Sequence, residues 1–169
     1  MQEMLIYGVS FDLVGKQPIV LLKTADGNKF LPIWIGHPEA AAILMKLQSQ
    51  AAPRPMTHDL LSDMLDQLGA SIVRITVTEL RENTFYAQIT VAQDGQEIEV
   101  DARPSDAIAL AIRAEAPIFA ADSVIEESAI EFEGEEVDEE QLEAEVSRFR
   151  SFLEDVTPDQ FVVDEDDEG

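Results

Sequence analysis

The sequence contains no cysteine, which removes disulfide staples, thiolate metal sites and a cysteine nucleophile together. It is also poor in aromatic residues, at 7% with a single tryptophan, and in positive charge, with 11 Lys and Arg against 35 Asp and Glu. The resulting net charge of −24 repels nucleic acid and anionic membranes at long range, so any phosphate-binding site has to be local. No apolar run approaches the length of a membrane span, and Met1-Gln2-Glu3-Met4 offers no basic leader ahead of the first apolar residues. The expected compartment is therefore the cytoplasm, and no membrane is expected as a partner. A chain of 169 residues lies within the range of one domain that folds on its own core.

The charge is unevenly spread. Residues 1–122 carry 9 Lys and Arg and 16 Asp and Glu, a net −7, whereas residues 123–169 carry 2 and 19, a net −17. This predicts a domain over 1–122 and an acidic extension over 123–169. The extension is expected to be helical where Leu142, Val146, Phe149 and Leu153 recur, and disordered from Asp164 onward. It could solubilise the chain, recruit a basic protein partner or shield the domain.

Apolar and aromatic residues concentrate in 4–11, 17–24 and 29–35, which predicts three strands, with Pro32 marking an edge or a bulge. From Glu39 the apolar period changes to that of a helix through Ala40, Ile43, Leu44 and Leu47. Pro53 and Pro55 end it. A second helix opens at Thr57, carries the stripe Leu61, Met64, Leu65 and Leu68, and stops at Gly69. Three alternating strands follow at 73–78, 85–91 and 97–102, the last two joined by Asp94-Gly95 as a hairpin. After Arg103-Pro104 comes a helix that is apolar all round, so it should be buried; residues 117–120 add a short strand. The expectation is an α+β fold: a mostly antiparallel sheet of about six strands with three helices, followed by the acidic extension.

Two proline-bearing segments stand at helix starts: Arg54-Pro-Met-Thr-His-Asp59 and Asp101-Ala-Arg-Pro-Ser-Asp106. Each brings an arginine, a hydroxyl and a carboxylate to the positive end of a helix, where backbone N–H groups hold anions or acidic side chains. Gly36-His37-Pro38-Glu39 is a weaker third. Capping alone accounts for Thr57, Asp59, Pro104 and Asp106. Asp101 shares the solvent-facing parity of Glu97 and Glu99, and His58, just after a cap, is expected to be exposed. Arg54 and Arg103 precede prolines and add nothing to capping. Asp106, at the mouth of the most apolar helix, needs a partner: Arg54, Arg103 or a divalent cation.

Leu31-Pro-Ile-Trp-Ile-Gly36, Glu39-Ala, Arg54-Pro-Met-Thr-His-Asp-Leu-Leu61, Thr84-Phe-Tyr-Ala87 and Val100-Asp-Ala-Arg-Pro-Ser-Asp-Ala-Ile-Ala-Leu-Ala111 together resemble the bifunctional nuclease domain family, over about residues 3–125. The resemblance implies a small α+β domain that associates with itself, and relatives that degrade both DNA and RNA. Some relatives append a helical module that docks onto repair proteins, where this chain has its acidic extension.

Taken together, these features suit a metal-assisted phosphodiesterase of little sequence specificity. Asp106, Asp101 and Glu39 would hold Mg²⁺ or Mn²⁺, and His58, Asp59, Asp106 and Arg103 would carry the catalysis. Arg54, Arg103, Thr57 and Ser105 would bind phosphate. The requirement is that the two helix starts converge. Against it, the basic residues form no cluster or aromatic-basic stripe that could grip a strand. The alternative is a non-enzymatic module that binds an anion or phosphorylated ligand, with the extension recruiting a basic partner. A purely structural homo-oligomer, formed by pairing of strands such as 30–35, is a third.

Overall fold

The computed structural model describes residues 1–11 and 16–131; the helical expectation for the acidic extension lies outside the described residues. Met1–Glu131 is one compact unit.

Among the described residues eight strands and four helices follow in the order β1 (Gln2–Phe11), β2 (Pro18–Thr24), β3 (Lys29–Trp34), α1 (His37–Leu47), α2 (Thr57–Gln67), β4 (Ala70–Arg81), β5 (Thr84–Gln93), β6 (Gln96–Ala102), α3 (Pro104–Ala114), β7 (Ile118–Ala120), α4 (Asp122–Ser128) and β8 (Ile130–Glu131). The α+β class holds, but six strands and three helices undercount it. The strands form one sheet in the order β6-β5-β4-β7-β1-β2-β3-β8. Two antiparallel meanders, β1-β2-β3 and β4-β5-β6, are joined by the three residues of β7, which run antiparallel to β1 and parallel to β4. The sheet is mixed because α3 carries the chain back across it, so β7 enters the central slot in the direction of β4. Ile75 N–H to Pro117 O (3.0 Å) and Ala121 N–H to Val77 O (2.9 Å) close that slot at both ends.

Local chemistry explains the turns. Glu82 and Asn83, then Asp94 and Gly95, all have positive φ (50°, 58°, 51° and 76°), the pair of left-handed residues that a two-residue type I′ hairpin needs. Gly69 (φ 71°) ends α2 as the left-handed terminator. Ile35 N–H donates to Pro18 O (3.0 Å), so Pro32, opposite Leu21, falls at a position that directs its missing N–H away from β2. Beyond β3, β8 covers only Lys29 and Phe30, which is how a proline fits there.

The main core cluster lies on one face of the sheet, while Ile19, Leu21 and Phe30 are buried on the other face of β2 and β3. Ile89, Ile75, Ile118 and Met4 pair directly across β5, β4, β7 and β1, and each is at most 7% exposed. α3 packs over the β4 and β5 part of this row, burying seven residues from Pro104 to Ala111, so the helix that is apolar all round is buried as expected. α2 behaves differently. The face it turns inward carries His58, Ser62 and Leu65, whereas Leu61, Met64 and Leu68 remain 41%, 52% and 65% exposed. Its neighbours are α3 and β4, and nothing among the described residues covers the flank that turns toward β5 and β6. The row of paired residues shows the same boundary, for Val100 on β6 lies opposite buried Ile89 yet is 45% exposed. No helix among the described residues is long and apolar enough to cross a membrane.

These exposures set an expected contrast in stability. Ile108→Ala empties a fully buried site and should cost about 2–5 kcal/mol, whereas Met64→Ala should stay within about 0.5 kcal/mol. Urea midpoints at constant m-value measure both; equal losses would mean that the α2 flank is covered in solution.

Candidate functional site at three helix starts

Each of the first three helices begins in the same way. Gly36, Met56 and Arg103 are the N-cap residues of α1, α2 and α3, in extended backbone and without a side-chain cap of their own. Three positions later each helix carries an acid: Glu39, Asp59 and Asp106. A carboxylate in the first turn complements the positive end of the helix dipole. Thr57 is therefore the first helical residue, not the cap; the backbone N–H of Met56 is taken instead by Asp59 Oδ2 at 3.0 Å.

All three acids line one cleft of about 930 Å³, and two arginines tie them together. Arg103 donates from Nε to Asp106 Oδ2 (2.9 Å) and from Nη2 to Glu39 Oε1 (2.8 Å), joining the starts of α3 and α1. Glu39 lies so close over Gly36 that a methyl group there would run into its carboxylate. From α2, His58 Nε2 meets the other oxygen of Asp106, Oδ1, at 2.8 Å. The two helix starts thus converge. Arg113, in the last turn of α3, reaches Asp59 Oδ1 (2.6 Å), Ala109 O (2.8 Å) and Ala42 O (3.1 Å).

Electrostatics follow from this geometry. Burial pushes the Asp106 carboxyl up, but the hydrogen bonds and charges of His58 and Arg103 outweigh it and hold it below its ordinary value. The Arg113 guanidinium, helped by Met56 N–H, holds Asp59 below its ordinary value. Asp106, and then Glu39, raise Arg103. An ionised Asp106 accepts from Nε2–H of His58. No hydrogen bond to Nδ1 is found among the described residues. His58 is nonetheless only 8% exposed, against the expectation of an exposed residue, because it is drawn inward to Asp106.

The other expected residues are placed unevenly. Arg54 and Asp101 line the cleft, both exposed and neither in an ion pair among the described residues. Thr57 lines it as well, whereas Ser105 is 5% exposed and absent from the lining. The donor set does not fit Mg²⁺ or Mn²⁺ as arranged. Both oxygens of Asp106 are engaged, Glu39 shares Arg103, and no group of three or more His, Asp or Glu side chains among the described residues is disposed to hold a metal. Sequence reasoning passed over Arg113, whose side chain is 7% exposed. Its signal was a lone cation closing a helix that must be buried, since a buried charge requires partners.

Because the folded-state carboxyl of Asp59 titrates below its ordinary value near 3.8, the unfolded chain takes up this proton first as pH falls. Its stabilisation is complete above about pH 5 and is lost as pH falls through the folded-state value. The difference in urea midpoint between wild type and Asp59→Asn should therefore narrow as pH is lowered from about 6 to about 2.5; a gap independent of pH would show that charge is not what Asp59 contributes.

The chain matches the profile of the Bifunctional nuclease domain over residues 20–133, a span that contains Glu39, His58, Arg103 and Asp106. An uncharacterized protein of Mycobacterium tuberculosis is 39% identical over 165 residues, which is 95% of this chain and 98% of that one. Bifunctional nuclease 1 of Oryza sativa subsp. indica is 30% identical over 103 residues, covering 59% of this chain and 31% of the rice protein. Bifunctional nuclease 1 of Arabidopsis thaliana is 29% identical over 105 residues, covering 60% and 32%. The matched segment is thus about a third of each plant relative. By the extent of the profile match, this chain belongs to the bifunctional nuclease domain family.

Proposed function

We propose that this chain is a nuclease that hydrolyses phosphodiester bonds of DNA and RNA with little sequence specificity, at the cleft formed by the three helix starts. The observation that carries this is the His58–Asp106 pair. Asp106, accepting from Nε2–H, fixes the tautomer of His58 so that Nδ1, which has no hydrogen-bond partner among the described residues, is the proton acceptor. A nucleophile common to DNA and RNA cannot be the ribose 2′-hydroxyl and is therefore water. Water oxygen bonds to phosphorus as its proton passes to Nδ1, the ester P–O bond breaks, and the departing oxygen is protonated from imidazolium or solvent. Arg103, 65% exposed at the mouth, and Arg54 are placed to offset charge on the phosphorus. No step is assigned to a metal ion, since the donors do not fit one.

Low sequence specificity follows from the charge pattern. A domain at −7 over residues 1–122, with no basic stripe, has little means of holding a duplex in register for base reading. The same reading leaves room for self-association through the uncovered flank of α2.

Purified chain given single-stranded DNA and RNA, in EDTA and with Mg²⁺ or Mn²⁺, tests the proposal. His58→Ala should lower the rate by about 10²–10⁴-fold, and Asp106→Ala, checked for folding by circular dichroism, should follow it. Undiminished cleavage in both variants would assign the activity to another site or a contaminant. An absence of cleavage in every condition, with retained phosphate binding, would leave an anion-binding module. Cleavage confined to added metal would show that the carboxylates rearrange around a cation.

A further inference from the structure

The polar cluster is only one end of the cleft. Its lining also includes exposed apolar side chains: Met56, the N-cap of α2, and Leu61 of α2 are 52% and 41% exposed, and Val100, 45% exposed, continues the surface of buried Ile89 on the adjacent strand. Resting on the nuclease reading above, we infer that the cleft takes unpaired nucleic acid, with a phosphate at His58 and Arg103 and the neighbouring base laid against Leu61 and Val100.

Three observations favour a single strand over a duplex. A duplex presents sugar and phosphate outward and hides its bases, so it offers nothing to an apolar wall, whereas an unpaired base buries its faces on one. A duplex is held by a run of cations along its phosphates. Of the four cations lining the cleft, Arg113 is buried against Asp59 and Arg103 is shared by two carboxylates; only Arg54 and Lys46 have no ion pair among the described residues. The third is access. The His58 side chain is 10% exposed, within a concavity, and exposed Asp101 stands on its lining. A flexible strand can feed one phosphate inward while turning the next away from Asp101; a rigid duplex cannot. At about 930 Å³ the cleft is at the upper end of ordinary ligand pockets, roughly 300–1,000 Å³, which suits a nucleotide or two.

The test uses the full chain with one short DNA sequence in three forms: single-stranded, duplex, and single-stranded with abasic sites that keep every phosphate. The expected result is a kcat/KM for the intact single strand about tenfold or more above the duplex, and a loss of similar size for the abasic strand. Leu61→Asp and Val100→Asp should raise KM for the intact strand about five- to tenfold with kcat within about twofold, and should add little on the abasic strand, as expected when both changes remove one contact. Leu61→Met should restore wild-type KM. Duplex cleaved as well as single strand with the same dependence on His58, or an abasic strand cleaved as well as the intact one, would overturn the inference while leaving the nuclease reading in place. So would a Leu61→Asp variant that sediments differently from wild type but keeps its KM, because the flank would then be a subunit contact. If no form is cleaved in a His58-dependent way, the nuclease reading itself fails; fluorescence anisotropy then decides the base wall alone, equal binding of intact and abasic strands rejecting it.

Discussion

The arrangement of the site depends on one guanidinium. Arg103 is the N-cap residue of α3 and donates at once to Asp106, in its own first turn, and to Glu39, at the start of α1. An exposed ion pair on its own is worth little, about 0–1 kcal/mol, and Arg103 is 65% exposed. Its partners are not: the Glu39 side chain is 14% exposed and Asp106 31%. Without the arginine, two partly buried like charges would face each other at helix starts that are themselves packed on the core. The guanidinium acts chiefly by making that juxtaposition tolerable.

With Asp106 held ionised, the position of His58 follows. Its Nε2 is committed to Oδ1, so one contact sets both orientation and tautomer. The same contact draws the first turn of α2 inward onto α3. Arg113 does the equivalent from the other end of α3, reaching Asp59 and the backbone of α1. The cleft is thus bounded by three helix starts cross-tied through two arginines, and that leaves few cations free to meet a substrate.

The fold sets the opposite wall. α3 packs over β4 and β5, beside the row that Ile89 and Ile75 begin, and the described helices leave β6 uncovered. The side chain of Val100 and the flank of α2 therefore remain at the surface on either side of the cleft. An apolar wall beside a charged cluster is the combination from which the preference for unpaired strands is drawn.

Much of this was legible in the residues. Alternation and helical period located both meanders and the first three helices, because those patterns encode which side of an element meets the core. Asp94-Gly95 and Gly69 marked their turns for the same local reason. β7 was marked by the short apolar run at 117–120, whereas β8, with two residues, is too short to carry a period and is a strand only because β3 supplies its hydrogen bonds. The stripe on α2 was visible, but its exposure was not, since a helix cannot encode how much of the sheet its neighbours cover. The sequence by itself determined that acids would stand in the first turns of three helices and that a buried α3 would need partners for its charges. Only the tertiary structure decided which acid met which arginine, and that His58 would turn inward, because those distances depend on how residues far apart in the chain are packed on one sheet.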